Sequence, residues 1–178
     1  MRMSSEDEKN DGVSSANGYD VFMSFSGVDT RQGFADCFYH VMREANIHVF
    51  RDEEELHVGK EIRHNLQRAI ENSKIYAPIF SENYASSSSC LRELAYMVKC
   101  KKSKPFEKMI LPIFYNVEPR DVMLKSELYT SALAKHEEKF GRQTTRAWAD
   151  GLRSVAQIKG MEVKKQGYAG VLNHSINF

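Results

Sequence analysis

A chain of 178 residues, 42% hydrophobic and 28% charged, can bury one substantial core but is too short for two ordinary domains. Its 25 Lys and Arg nearly balance 24 Asp and Glu, which excludes a global field drawing in nucleic acid or anionic lipid, so any partner must be recognised locally. Three cysteines (Cys37, Cys90 and Cys100) in no metal-ligand spacing, a polar N-terminus and no apolar run near the roughly 20 residues that span a bilayer point to a soluble protein of a reducing compartment. That means the cytoplasm, with the nucleus also open to it, and no membrane partner.

Residues 1–18 are rich in Ser, Asn, Asp and Glu and read as a disordered lead-in, so the fold is expected to start at Tyr19. From there apolar runs of strand length alternate with amphipathic runs of helix length, the pattern of a parallel sheet built from βα units. The first strand is YDVFMSF. Thr30 can then cap a helix whose apolar stripe is Phe34, Cys37, Phe38, Val41 and Met42. Strand IHVF follows, then the polar loop RDEEELHVGK and a helix burying Ile62, Leu66, Ala69 and Ile70.

The third strand is KIYAPIF. It leads to a helix over Cys90 to Lys101, with Leu91, Leu94, Ala95 and Val98 on the core side and Glu93 outside that stripe. MILPIFY is the fourth strand. Pro78 and Pro112 stand inside the third and fourth runs, although proline cannot donate to a central ladder. Ser126 to Lys159 reads as helical, with Trp148, Leu152, Val155 and Ala156 as its clearest stripe, and after Gly160 the pattern dissolves into a tail over 161–178.

Strands with interleaved helices predict a doubly wound α/β sheet, whose ligand crevice lies at the carboxyl ends of the strands. The loops there are SGVDTR, RDEEELHVGK, SENYASSSSC and NVEPRDV. Glu93, near the start of the third helix, would stand beside that crevice with the helix N-terminus favouring its charged form; the plain alternative is a solvated surface glutamate. The acidic run Asp52 to Glu55 reads as a solvated loop, because the alternating spacing of a calcium loop is absent. Gly59-Lys60 is followed by Glu61 and lacks the earlier glycine of a phosphate-binding loop. No histidine pair with a glutamate suits zinc, no GxSxG elbow exists, and no metal site is predicted.

YDVFMSFSGVDTR, FRDEEELHVGKEI, SENYASSSSCLREL and ILPIFYNVEPRDV stand in that order, and together they resemble the Toll/interleukin-receptor (TIR) domain of plant intracellular immune receptors over about Tyr19 to Gly160. The resemblance implies a flavodoxin-like sheet of five parallel strands with helices on both faces, including a fifth strand that the periodicity does not reveal. It implies cleavage of the nicotinamide–ribose bond of NAD, as substrate rather than cofactor, to make signalling nucleotides in innate immunity when TIR domains assemble with one another. Glu93 matches the catalytic glutamate. The first-loop residues Gly27, Val28, Asp29, Thr30 and Arg31, with Gly59 in the loop that closes the site and Ser87, match positions expected to contact the substrate.

Four residues depart from the family pattern. Ser26 stands where an arginine is usual, Ser89 where a tryptophan is usual, Met123 in place of an arginine and Met161 in place of a tryptophan. Ser26 and Ser89 keep a second expectation open, a non-catalytic module that pairs with other TIR domains. A phosphoacceptor receiver shares the sheet topology, but its acidic pair and phosphoacceptor aspartate are missing from SFSGVD and FSENY.

Overall fold

The structure, a computed structural model, describes residues 18–51 and 60–164. Its sheet is parallel throughout, built from β1 (Tyr19–Phe25), β2 (Val49–Arg51), β3 (Ser73–Phe80), β4 (Met109–Ile110), β5 (Ile113–Tyr115) and β6 (Met161–Val163). The order is β2-β1-β3-β5-β6, with β4 also on β3. Because β4 and β5 keep one register against β3 (Ile75 opposite Met109, Ile79 opposite Ile113), they are two halves of one strand, and the sheet is five-stranded in the flavodoxin-like order.

The prolines explain both the break and its tolerance. In a parallel strand one residue's N–H and C=O point to the same side, and the Tyr76 carbonyl accepts from Leu111 N at 2.8 Å. Pro78, two residues on, therefore turns its missing donor toward the Leu111–Pro112 interruption. Pro112 turns the other way: its carbonyl accepts from Met161 N at 2.9 Å, so its missing donor faces the place where β6 begins. Each proline sits where the ladder is already open, and so the propensity objection does not hold.

The fifth strand, β6, lies past Gly160, where the periodicity was expected to give way to a tail. Three residues, MEV, are too few for a period-2 signal, but Val163 is 1% exposed and completes the core on one sheet face.

Helices cover both faces. On one, α2 (Phe34–Glu44) buries Phe34, Ala35, Phe38 and Met42, close to the expected stripe. On the other lie α3 (Lys60–Asn72), α4 (Ser88–Ser103), α6 (Glu127–Phe140) and α7 (Arg142–Ala156), with the short helix α5 (Pro119–Val122) and a 3-10 turn at Tyr84–Ser86, while the short α1 (Gly27–Thr30) leads into α2. The single helical stretch expected over Ser126 to Lys159 is broken at Gly141, whose φ of 79° lies in the left-handed region. Thr30 does not cap α2. It ends α1, and its hydroxyl donates back to the Ser26 carbonyl at 2.9 Å, while Gly33 precedes α2. Among the described residues no helix is long and apolar enough to cross a membrane.

Candidate functional site

Glu93 is the first surprise of the structure. The apolar stripe of α4 placed it toward solvent, yet it is 5% exposed. The reason is the width of the buried face: Cys90 and Met97, three residues before and four after it, are buried along with Leu91 and Leu94. Helix α4 is wedged between the sheet, α3 and α7, so burial extends past one stripe onto the flank that carries Glu93.

That flank opens on a cleft of about 450 Å³ between α3, α4 and α7. Helix α3 supplies Arg63, Leu66, Gln67 and Ile70. Helix α4 supplies Ser89, Arg92, Glu93 and Lys99 together with Tyr96, and α7 supplies Trp148. One carboxylate is thus set among three cationic side chains and two aromatic ones. The Tyr96 hydroxyl donates to the Glu71 carboxylate, which is the main reason its pKa is pushed up to about 12. It stays a phenol at neutral pH and offers the cleft no acid–base group. Arg92 lies over the Phe140 ring at 5.1 Å, and Phe140 and His136 pack edge-on against Trp148, so the aromatic wall is held from behind.

A buried polar network sets the entry to α4. The Tyr84 hydroxyl pairs with Ser24 Oγ of β1 at 2.9 Å and donates to the Cys90 carbonyl at 3.3 Å. The Tyr129 hydroxyl of α6 donates to the Ser81 carbonyl at 2.7 Å. Burial above all, and then the nearby Cys90 and Glu93, holds the Tyr84 phenol well above its ordinary range; burial does the same for Tyr129. Both remain donors: Tyr84 ties the carboxyl end of β1 to the first turn of the helix bearing Glu93, and Tyr129 ties the residue after β3 to α6.

The other expected site residues fall into separate places. Ser87 caps α4, its Oγ accepting from Cys90 N at 3.3 Å. Asp29 accepts from Asn83 N at 2.6 Å and also from the Asn83 side-chain amide, which fastens the first loop to the third. Thr30 is buried, Val28 is 81% exposed, and Arg31 stacks over Phe25 at 5.5 Å. None of Gly27, Val28, Asp29, Thr30 or Arg31 lines the cleft beside Glu93. Gly59 and the acidic run Asp52 to Glu55 lie outside the described residues. Ser26, 2% exposed, precedes α1 and also lies away from the cleft, whereas Ser89 is exposed at its mouth. Arg63, Gln67 and Lys99 were missed because charged residues on a helix read as a solvated face. Trp148 was read as core; it is core and cleft wall at once. Among the described residues no cluster of His, Cys, Asp and Glu could hold a metal ion.

The sequence profile of the TIR domain matches residues 18–177. The chain belongs to the TIR-domain family. Its relatives include plant disease resistance proteins. TMV resistance protein N of Nicotiana glutinosa is 38% identical over 144 residues, covering 80% of this TIR chain and 12% of that protein. Disease resistance protein RPV1 of Vitis rotundifolia is 37% identical over 150 residues, covering 84% and 10% respectively. The chain therefore spans about a tenth of the length of these two relatives. Among solved structures, the TIR domains of the activated Roq1 resistosome, described as directly recognising the pathogen effector XopQ, superpose with a TM-score of 0.75 at 35% identity, over 89% of this chain and 95% of that one. This match bears out the five-stranded, helix-flanked fold.

Proposed function

We propose that this TIR domain cleaves the nicotinamide–ribose bond of NAD in plant disease resistance, with Glu93 as the catalytic carboxylate and activity switched on by assembly with other TIR domains. The observation that carries the reading is the burial of Glu93 in a cleft large enough for a small molecule, since a carboxylate is seldom kept from water without a task. The reaction takes NAD and water to nicotinamide, ADP-ribose and a proton. As the C–N bond breaks, its electron pair leaves with nicotinamide, which departs neutral and needs no general acid. Positive charge develops on the ribose, where a fixed carboxylate stabilises it or orients a ribose hydroxyl. Water then attacks the anomeric carbon, or the adenine of the same molecule does, giving a cyclic product. Arg63, Arg92 and Lys99 supply positive charge suited to the diphosphate, and Trp148 a face suited to a heteroaromatic ring.

Ser89 supports a second reading. Its small side chain leaves the cleft mouth without the family's tryptophan, as suits an interaction module that pairs with other TIR domains without turnover. The Roq1 relative, described as a resistosome, is consistent with assembly under either reading. Nicotinamide release by the protein clustered on a scaffold, against the same protein free in solution, separates the two. Turnover that rises on clustering supports the enzyme. Absent turnover in protein shown to self-associate supports the interaction module.

A further inference from the structure

Charge is balanced over the whole chain but not along it. Between Lys99 and Lys108 stand five lysines against a single acid, Glu107. This stretch runs from the end of α4 through the turn into β4, and at the turn Phe106 is 101% exposed, with Met109 59% exposed just beyond. The turn is fixed by specific bonds. The Lys101 ammonium donates to the Pro105 and Lys108 carbonyls, both at 2.6 Å. The Lys104 carbonyl accepts from Glu107 N and Lys108 N, each at 3.2 Å. The Lys108 ammonium, buried, donates to the carbonyls of Glu71 at 2.5 Å and Ser73 at 2.6 Å, which pins the turn to the start of β3. Two lysines thus fix the turn, and Lys102 and Lys104 remain exposed around it, whereas Lys99 belongs to the cleft wall.

We propose that this turn is a peripheral docking site for an anionic membrane surface, with Phe106 entering the boundary between headgroups and acyl chains and Lys102 and Lys104 meeting the negative headgroups. Three features favour this occupant. Phe106 projects from a convex turn, so its partner must yield to it, as a bilayer interface does and a folded surface without a matching pocket does not. Lys104 pairs with Glu107 at 3.4 Å, but both side chains are exposed and water screens the pair, so the exposed lysines still suit a diffuse negative surface. The bonds of Lys101 and Lys108 hold the backbone of the turn in place, so docking needs only the Phe106 side chain to be ordered. One turn of this kind gives a weak, reversible contact, but an assembly presents several and multiplies their effect. The turn lies ten residues beyond Glu93, about 15 Å along α4, so docking is independent of the cleft and of the NAD reading.

Co-sedimentation of the full chain, clustered on a scaffold, with phosphatidylcholine vesicles and with vesicles enriched in phosphatidylserine tests the proposal. The protein is expected to follow the anionic vesicles alone and to be released by salt. Phe106→Ala should weaken binding by at least about tenfold, and Lys102→Glu by about fivefold or more. Both positions are exposed, so both variants should melt like the wild type, which a thermal scan confirms. Equal binding to neutral vesicles, binding indifferent to Phe106→Ala, or no sedimentation would each overturn the proposal. So would loss of self-association in Phe106→Ala without vesicles present, which would make the turn a contact between copies of this chain.

Discussion

Gly160→Ala perturbs the hinge between α7 and the edge strand β6. A Cβ at Gly160 would lie 2.2 Å from the Pro112 carbonyl oxygen, 2.7 Å from Pro112 Cγ and 2.9 Å from Phe114 Cε2. None of these is the far end of a flexible side chain: two belong to a proline and one to a ring that is 2% exposed. The Pro112 oxygen is also the acceptor for Met161 N, which starts the pairing of β5 with β6. Relief requires β6 to back away, and this loosens Val163 from the core. Overpacking of this kind costs about 1–3 kcal/mol, and the weakened backbone bond adds about 1 kcal/mol. Together they predict a loss of roughly 2–4 kcal/mol, or about 5–15 °C in Tm for a domain of this size. Urea denaturation and a thermal scan followed by circular dichroism measure it. Because the cleft is built from α3, α4 and α7, activity per folded molecule well below the transition should not change. A Tm within about a degree of wild type would refute the account of β6.

Three further predictions concern the site and its supports. Ser89→Trp should give the cleft mouth its aromatic wall and, with stacking worth about 0.5–1.5 kcal/mol, lower KM for NAD by roughly two- to tenfold; an unchanged or higher KM at equal folding and clustering would count against the cleft as the substrate site. Asp29→Ala leaves Asn83 without the acceptor for its main-chain and side-chain N–H groups and should cost about 1–3 kcal/mol in urea denaturation, while a loss under about 0.5 kcal/mol would mean that the two loops are not tied through this pair. The Asp20 carboxylate is held below its ordinary value of 3.8, first by the His48 main-chain N–H and then by Lys74. Its stabilisation is therefore complete above that value and lost as pH falls through the lower folded value. The stability gap between wild type and Asp20→Asn should shrink as pH drops below 3.8, and a gap constant with pH would contradict this assignment.

The fold was legible wherever an element ran long enough to repeat. The stripes of α2 and α7 are buried largely as their spacing indicates. Among the elements of two to four residues, β2 was read as the strand IHVF, but β6 and α1 are too short to show a period, and β4 and β5 read as one run because the break at Pro112 leaves the register intact. Glu93 was located correctly on its helix and assigned the wrong exposure. A single apolar stripe predicts one covered face, whereas α4 is covered by three neighbours, and buried Cys90 and Met97 beside Glu93 were the available sign. The cationic rim could not be read at all, since Arg63 and Lys99 are 36 positions apart in sequence and meet only through the packing of α3 on α4.

The role of Glu93 is tested most directly by NAD turnover of the clustered protein with Glu93→Gln, which keeps the shape of the buried side chain and replaces its carboxyl by an amide. Alanine is the poorer choice, because at a site 5% exposed it would also leave a cavity. Nicotinamide release followed over time, with self-association and thermal unfolding measured on the same samples, gives the comparison. Measurable release by the wild type is expected, and its loss by at least about a hundredfold in Glu93→Gln, at unchanged assembly and melting. Release at the wild-type rate by a folded, assembled Glu93→Gln would remove Glu93 from the mechanism.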